Sequence, residues 1–278
     1  MSIASSGAKP SGEGTVSVVV PCFQARGTLR RALESVFGQT LQPREVIAVD
    51  DASADGTWEE LQRIQGEVGA GQLQIQRQER NLGPSAARNA GWEAATGKYV
   101  AFLDADDSWH PRKLEIQVQY MERNPSVVCS AHLHVASGDG TRDLNVGDSP
   151  PAVELSFQKL LWRNRFVTSA AMIRREIPLR FPAEQRHMED HRLWLELVRA
   201  GHRLARIEAA LALIHKPAFG AGGLSAELSA MERAELGNYR ALYRSGAISA
   251  PLLSVLTAWS LAKFARRGAI VAWRRFSS

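Results

Sequence analysis

Short apolar runs and amphipathic stretches alternate along the first part of the chain. Val16-Ser-Val-Val-Val20 is an apolar run stopped by Pro21, the pattern of a buried strand. Over residues 28–37, Leu29, Ala32, Leu33, Val36 and Phe37 recur at the spacing of an amphipathic helix. Residues 45–50 read as a second strand. Ser53-Ala-Asp-Gly56 reads as a turn, and Thr57 is placed to cap a helix with Glu60 three residues on. Residues 73–78 alternate as a third strand. Asn81-Leu-Gly-Pro84 is a turn, residues 85–95 a helix closed by Gly97, and residues 99–103 a fourth strand. Such strand–helix repetition predicts an α/β fold with a mostly parallel sheet covered by helices on both faces.

The pattern then loosens. Pro111 opens a helix with Leu114, Val118 and Met121 on its core face, and residues 127–135 form a fifth strand. Residues 138–151, rich in Gly, Asp and Pro, mark a boundary or a mobile loop. A short helix over 155–162, a strand near 168–173, a helix over 190–200 and strands within 203–214 follow. Leu193, Trp194, Leu197 and Val198 share one face of that last helix. The expected organisation is a disordered tail over 1–14, a catalytic domain over 15–235 and a helical extension over 236–278. The start, rich in Ser, Gly and Ala, has no apolar run of the kind a secretory signal needs.

Charge changes the picture mainly in the extension. The 278 residues carry a formal net charge of +5, but seven Lys or Arg and no Asp or Glu lie beyond Leu236. The rest of the chain is slightly acidic, which argues against nucleic acid as a partner and for a local contact through the tail. Read as a helix, the tail gathers Ser260, Lys263, Arg267 and Arg274 on one side and Val255, Trp259, Ala262, Ala269 and Trp273 on the other. The apolar run is too short for a membrane span. It reads as a helix lying on an anionic membrane surface, its apolar side in the headgroup boundary and its basic side meeting anionic lipid, or as one packed on the domain or on a second copy of the chain. Cys22 and Cys129 fall in predicted strands, which suits two buried, reduced thiols. His132, His134 and His187 stand in no carboxylate cluster that suggests zinc.

Two strand ends carry carboxylates: Val49-Asp50-Asp51 and Phe102-Leu-Asp104-Ala-Asp106-Asp107. Burying carboxylates is costly, so such clusters belong at open strand ends, where they meet a cation. On an α/β sheet the pair suggests one crevice for a divalent metal and a phosphorylated ligand. A dinucleotide-binding fold would need glycines directly after the first strand, where Pro21-Cys-Phe-Gln-Ala-Arg-Gly27 stands instead.

Five segments together resemble the inverting glycosyltransferases of family 2, with the GT-A fold. They are Val18-Val-Val-Pro21-Cys-Phe23, Val49-Asp-Asp-Ala-Ser-Ala-Asp-Gly-Thr57, Asn81-Leu-Gly-Pro-Ser-Ala-Ala-Arg-Asn89, Phe102-Leu-Asp-Ala-Asp-Asp107 and Glu189-Asp190. The resemblance implies transfer of a sugar from a nucleotide-diphosphate sugar to an acceptor hydroxyl, in bacterial cell-surface polysaccharide or lipid-linked glycan synthesis. It implies Asp106 as ligand of Mg²⁺ or Mn²⁺, with Asp104 at the ribose or the metal's outer shell. It gives Asp51 the base's imide N–H, and Pro21 and Phe23 one wall of the base pocket, although an apolar pair there also suits the core. Arg88 lines the donor site or forms a structural salt bridge. Asp190 is implied as the base that takes the acceptor proton, kept ionised at a helix N-terminus, with Glu189 in support. His215 resembles the family's late histidine near metal or diphosphate, Ser225 the serine beyond it, and Phe219-Gly-Ala-Gly-Gly223 a closing loop. Gln24 stands where the family usually has Asn. The implied place is peripheral, on the cytosolic face of the inner membrane. Competing readings are a nucleotidyltransferase acting on a sugar phosphate and an inactive sugar- or lipid-binding subunit.

Overall fold

The computed structural model describes residues 15–136, 146–215 and 227–276, with side chains as far as residue 269. Phe219–Gly223 and Ser225, the side chains of Trp273 and Arg274, and residues 1–14 lie outside the described residues. In chain order the elements are β1 (Val16–Cys22), α1 (Leu29–Phe37), β2 (Glu45–Asp50), α2 (Thr57–Val68), β3 (Leu73–Arg77), α3 (Pro84–Ala94), β4 (Tyr99–Phe102), β5 (Ser108–Trp109) and α4 (Lys113–Arg123). There follow β6 (Val127–Ala136), β7 (Ala152–Glu154), α5 (Phe157–Trp162), a 3-10 turn (Thr168–Ala170), β8 (Met172–Arg174), α6 (Glu189–Arg199), β9 (Arg203–Ile214), α7 (Leu228–Arg244) and α8 (Ala250–Phe276).

One nine-stranded sheet runs β3–β2–β1–β4–β8–β6–β9–β5, with β7 added on β9. The first four strands pair in parallel, as their intervening helices require. Beyond β4 the sheet is mixed: β8 is antiparallel to both neighbours, and β6 and β9 are again parallel. Side chains alternate across β1. Val18 and Val20 enter the layer of α1, α2 and α4, while Val19 enters the layer of α3, α5 and α6. Helix α3 packs so closely on β1 that a Cβ on Gly91 would lie 2.4 Å from Val19 Cγ1.

The irregular half differs from the sequence reading. The strand expected near 168–173 is a 3-10 turn followed by the three-residue β8. The two-residue β5 and three-residue β7 carry too little pattern to be seen. Thr57 is the first residue of α2 rather than its cap, and its hydroxyl donates to Asp55 Oδ1. Cys22 and Cys129 are buried free thiols.

The extension begins inside a helix, since α7 starts at Leu228. The apolar side of α8 is outward, as expected, but the basic side expected to meet lipid is not. The polar side of the helix faces inward: Ser260 is fully buried, Lys263 pairs with Glu235, and Arg267 Nη2 lies 3.1 Å from Glu232 Oε2. Both glutamates are buried on α7. Val255, Trp259 and Leu261 are exposed instead. The cations Lys263 and Arg267 are therefore committed to α7 and do not form a lipid-facing basic side. Among the described residues no helix is long and apolar enough to cross a membrane.

Candidate active site

The cleft lies at the carboxyl ends of β1, β2 and β4. Asp50 ends β2 fully buried, accepts a hydrogen bond from Ser53 N–H and faces Arg77 Nε at 3.2 Å. It orders the loop, as its place before Ser53 suggests. Asp51 is 3% exposed, and both its oxygens accept backbone N–H groups, from Leu82 at 2.7 Å and Gly83 at 2.8 Å. Burial raises its pKa against these two bonds. These two bonds hold the Asn81–Gly83 turn. Phe23, at 48% exposed, is not core and stands free to wall a pocket beside Pro21, which is half-buried.

Asp104 and Asp106 follow β4. The Asp104 side chain is 34% exposed, and its Oδ1 accepts from Arg88 Nη2 at 2.7 Å. Asp106 is half-buried, and its backbone oxygen accepts from Arg31 Nη2 at 2.8 Å. Asp107 is buried, its Oδ2 accepting from Ser169 Oγ at 2.6 Å, while Ser169 Oγ also accepts from Asp104 N–H. The third carboxylate therefore anchors the loop on which the first two stand.

Arg88 is buried on α3 and spans the cleft floor. Its Nη1 donates to Glu189 Oε1 at 2.7 Å, opposite the bond to Asp104, and its guanidinium lies 5.4 Å from the Phe181 ring centroid. Burial alone would lower its pKa, but Asp104 and Glu189 outweigh this and raise it. Arg88 does not open onto the cleft as a ligand. It ties the end of β4 to the start of α6.

Glu189 is 7% exposed, and burial raises its carboxyl pKa, opposed by Arg88 and reinforced by Asp190. Asp190 is half-buried, with Oδ1 accepting from His191 N–H at 2.6 Å and Oδ2 from Asn164 Nδ2 at 2.9 Å. Met188, directly before this pair, sits at φ 55°, a conformation costly for a non-glycine residue.

His215 reaches the same region because β5 pairs antiparallel with β9, Ser108 opposite Leu213. Its Nε2 lies 2.8 Å from Ser108 Oγ. Burial and Arg31 lower its pKa, and Asp106 partly offsets them. Among the described residues no three His, Cys, Asp or Glu side chains form a ready metal cage.

Sequence reasoning missed Arg31, Ser108, Asn164 and Ser169. Ser108 adjoins the acidic motif, which was a usable signal. Asn164 and Ser169 lie in a stretch without periodicity, more than fifty residues from the acidic motif.

Residues 17–179 match glycosyl transferase family 2. The putative teichuronic acid biosynthesis glycosyltransferase TuaG of Bacillus subtilis is 37% identical over 126 residues, covering 45% of this chain and 49% of its own. WfgD of Escherichia coli, a UDP-Glc:α-D-GlcNAc-diphosphoundecaprenol β-1,3-glucosyltransferase, is 27% identical over 186 residues, covering 66% of this chain and 70% of its own. Two solved structures share the fold. One is TarS of S. aureus in complex with UDP-GlcNAc, with TM-score 0.63 and 18% identity over 89% of this chain and 71% of that one. The other is the mannosyltransferase PcManGT of Pyrobaculum calidifontis with GDP-Man and Mn²⁺, with TM-score 0.65 and 19% identity over 95% and 76%. The fold is GT-A, and the chain is a glycosyltransferase that belongs to glycosyl transferase family 2.

Proposed function

We propose that the chain transfers a sugar, with inversion, from a nucleotide-diphosphate sugar to a hydroxyl of a cell-surface or lipid-linked glycan. The observation that carries this reading is the Asp104–Arg88–Glu189 bridge, which sets the acidic end of β4 and the carboxylates opening α6 on one cleft. The donor's leaving group and the acceptor's proton then have carboxylates close by. Phe23 and Pro21 wall the base, with Asp51 bracing the turn beside it.

The residues fit a hard divalent cation. Asp104, with one oxygen on Arg88, the Asp106 carboxylate and the His215 imidazole are the groups that would hold it. Mg²⁺ or Mn²⁺ bound there with the diphosphate supplies Lewis-acid stabilisation of the leaving group. Asp190 accepts the acceptor's proton, Glu189 fixes the helix start through Arg88, and direct displacement inverts the anomeric centre. WfgD's name supports a diphospholipid-linked acceptor, and PcManGT's bound Mn²⁺ supports the cation.

Such an acceptor places the enzyme at the cytosolic face of a membrane. The exposed Val255, Trp259 and Leu261 side of α8 meets the headgroup boundary, and the exposed Arg266 meets anionic lipid. The test is nucleoside-diphosphate release from UDP-glucose, UDP-GlcNAc and GDP-mannose with extracted membrane glycolipid, with Mn²⁺ or with chelator, and product NMR. Turnover that survives chelation in metal-free protein refutes the cation site. A retained anomeric configuration refutes inversion.

A further inference from the structure

Helix α5 ends in four consecutive backbone carbonyls, Lys159 to Trp162, and a side chain reaches each of them. Arg165 Nε donates to Lys159 O at 3.3 Å, and His191 Nε2 lies 2.7 Å from Leu160 O. The Tyr239 hydroxyl stands 3.1 Å from Leu161 O and shares its one proton with Glu235 Oε1 at 2.9 Å, and Trp259 Nε1 donates to Trp162 O at 3.3 Å. Carbonyls at a helix C-terminus mostly lack an intrahelical partner, although Leu160 O here also accepts Arg163 N–H at 3.3 Å, and water serves them equally well at a surface. Here α6, α7 and α8 each supply one of these groups. The Trp162 and Trp259 rings also meet edge to face, with centroids 6.3 Å apart.

What this clamp fixes is the segment carrying Asn164. Its Nδ2 donates to Asp190 Oδ2 at 2.9 Å, while its Oδ1 is buried without a partner among the described residues. The bond aims Asp190. With Oδ1 held by His191 N–H, Asn164 fixes the remaining rotation of the carboxylate, and so the direction in which its lone pairs point.

We propose that Asn164 is the positioning residue for the base Asp190, and that α5 with its three C-terminal clamps holds Asn164 in register. This rests on the assignment of Asp190 above and extends it to a residue outside the family motifs. An acceptor hydroxyl must meet the base within hydrogen-bond reach, and small misplacements of a catalytic group cost up to about 100-fold in rate.

A double-mutant cycle on the full chain tests the proposal. Turnover is read as nucleoside-diphosphate release from the donors named above with membrane glycolipid, and donor Kd by calorimetry. Asn164→Ala should lower kcat about 10- to 100-fold while donor Kd stays within about twofold. In the Asp190→Asn background, which retains only slow turnover, the same substitution should cost nothing further, because the group it positions is gone. Asn164→Asp keeps the side chain's shape and replaces the donor with an acceptor, so it gives the same result should the alanine variant unfold. An undiminished kcat in Asn164→Ala, or an equal loss in both backgrounds, overturns the positioning role while leaving Asp190 as base. Near-normal turnover of Asp190→Asn overturns the base assignment, and the positioning role falls with it.

Discussion

Removing Arg88 should isolate a buried carboxylate, and the effect can be sized. Arg88 holds two carboxylates at 2.7 Å each, one 34% exposed and one 9%. Water can take over much of the solvation of Asp104 once the guanidinium is gone. It cannot do so for Glu189, whose carboxyl pKa burial already raises. Breaking a buried pair by deleting one partner costs about 3–5 kcal/mol, and the more exposed half adds about 1 kcal/mol at most. Arg88→Met, similar in bulk and uncharged, should therefore lose about 3–6 kcal/mol at pH 8. Glu189→Gln alone should lose about 1–2 kcal/mol, since an amide oxygen can still accept from Arg88. The double variant should lose about 2 kcal/mol less than the sum. The pH dependence has a definite sign. With Arg88 removed, the folded-state pKa of Glu189 lies above its unfolded value, so the folded state binds the proton more tightly. The deficit of Arg88→Met should then shrink as pH falls from 8 to 5.5. Urea unfolding of the four proteins at both pH values reads all these quantities. A coupling energy below about 0.5 kcal/mol, or a deficit equal at both pH values, would refute the view that Arg88 is the countercharge of Glu189.

Three other outcomes are expected. Asp106→Asn should cut kcat/KM at least ~100-fold, about 2.7 kcal/mol of transition-state stabilisation, with the donor's Mn²⁺ dependence lost; steady-state kinetics against Mn²⁺ concentration checks this. His132 is fully buried, and burial with Lys113 lowers its pKa to about 3, so it stays neutral in the fold and charges only on unfolding. Stability from this group is therefore complete above about pH 6.5 and falls by about 2 kcal/mol by pH 5; urea unfolding of wild type and His132→Gln should differ in acid sensitivity by that amount, and equal slopes would refute it. Gln24 sits at φ 48°, where Asn is better tolerated, and its N–H donates to Ser53 Oγ. Gln24→Asn should raise stability by about 0.5 kcal/mol in a thermal melt, and a lower melting temperature would show the long side chain to be holding the loop.

The parallel half of the sheet was readable because each strand there is long, apolar and ended by a polar or turn residue. β1, β2 and β4 are buried on both faces, and buried runs announce themselves. The acidic residues after them were readable for the same reason, since charge at the end of such a run has to emerge somewhere. Legibility ended where position depends on pairing. β5 has two residues, yet its register with β9 is what brings His215 to Ser108, near Asp106. Asn164 has no pattern around it, and it acquires a role only because α6 starts beside it.

The tail shows how a correct local pattern can leave its orientation open. The helical wheel of α8 separates Lys263 and Arg267 from Val255 and Trp259, and the structure keeps that separation. A wheel does not say which side faces in, because the answer lies on another element. Glu232 and Glu235 of α7 are buried, and a buried carboxylate needs a countercharge or a proton. Lys263 and Arg267 are the cations within reach, and Lys263 lowers the pKa of Glu235 against the effect of burial. Turning α8 over to bury its apolar side would strand both glutamates. The electrostatic demand of α7 thus decides the orientation of α8, and it leaves Val255, Trp259 and Leu261 on the outside. Trp259 also reaches the carbonyl of Trp162, so the same choice that leaves an apolar face exposed sets the α5 clamp beside Asn164.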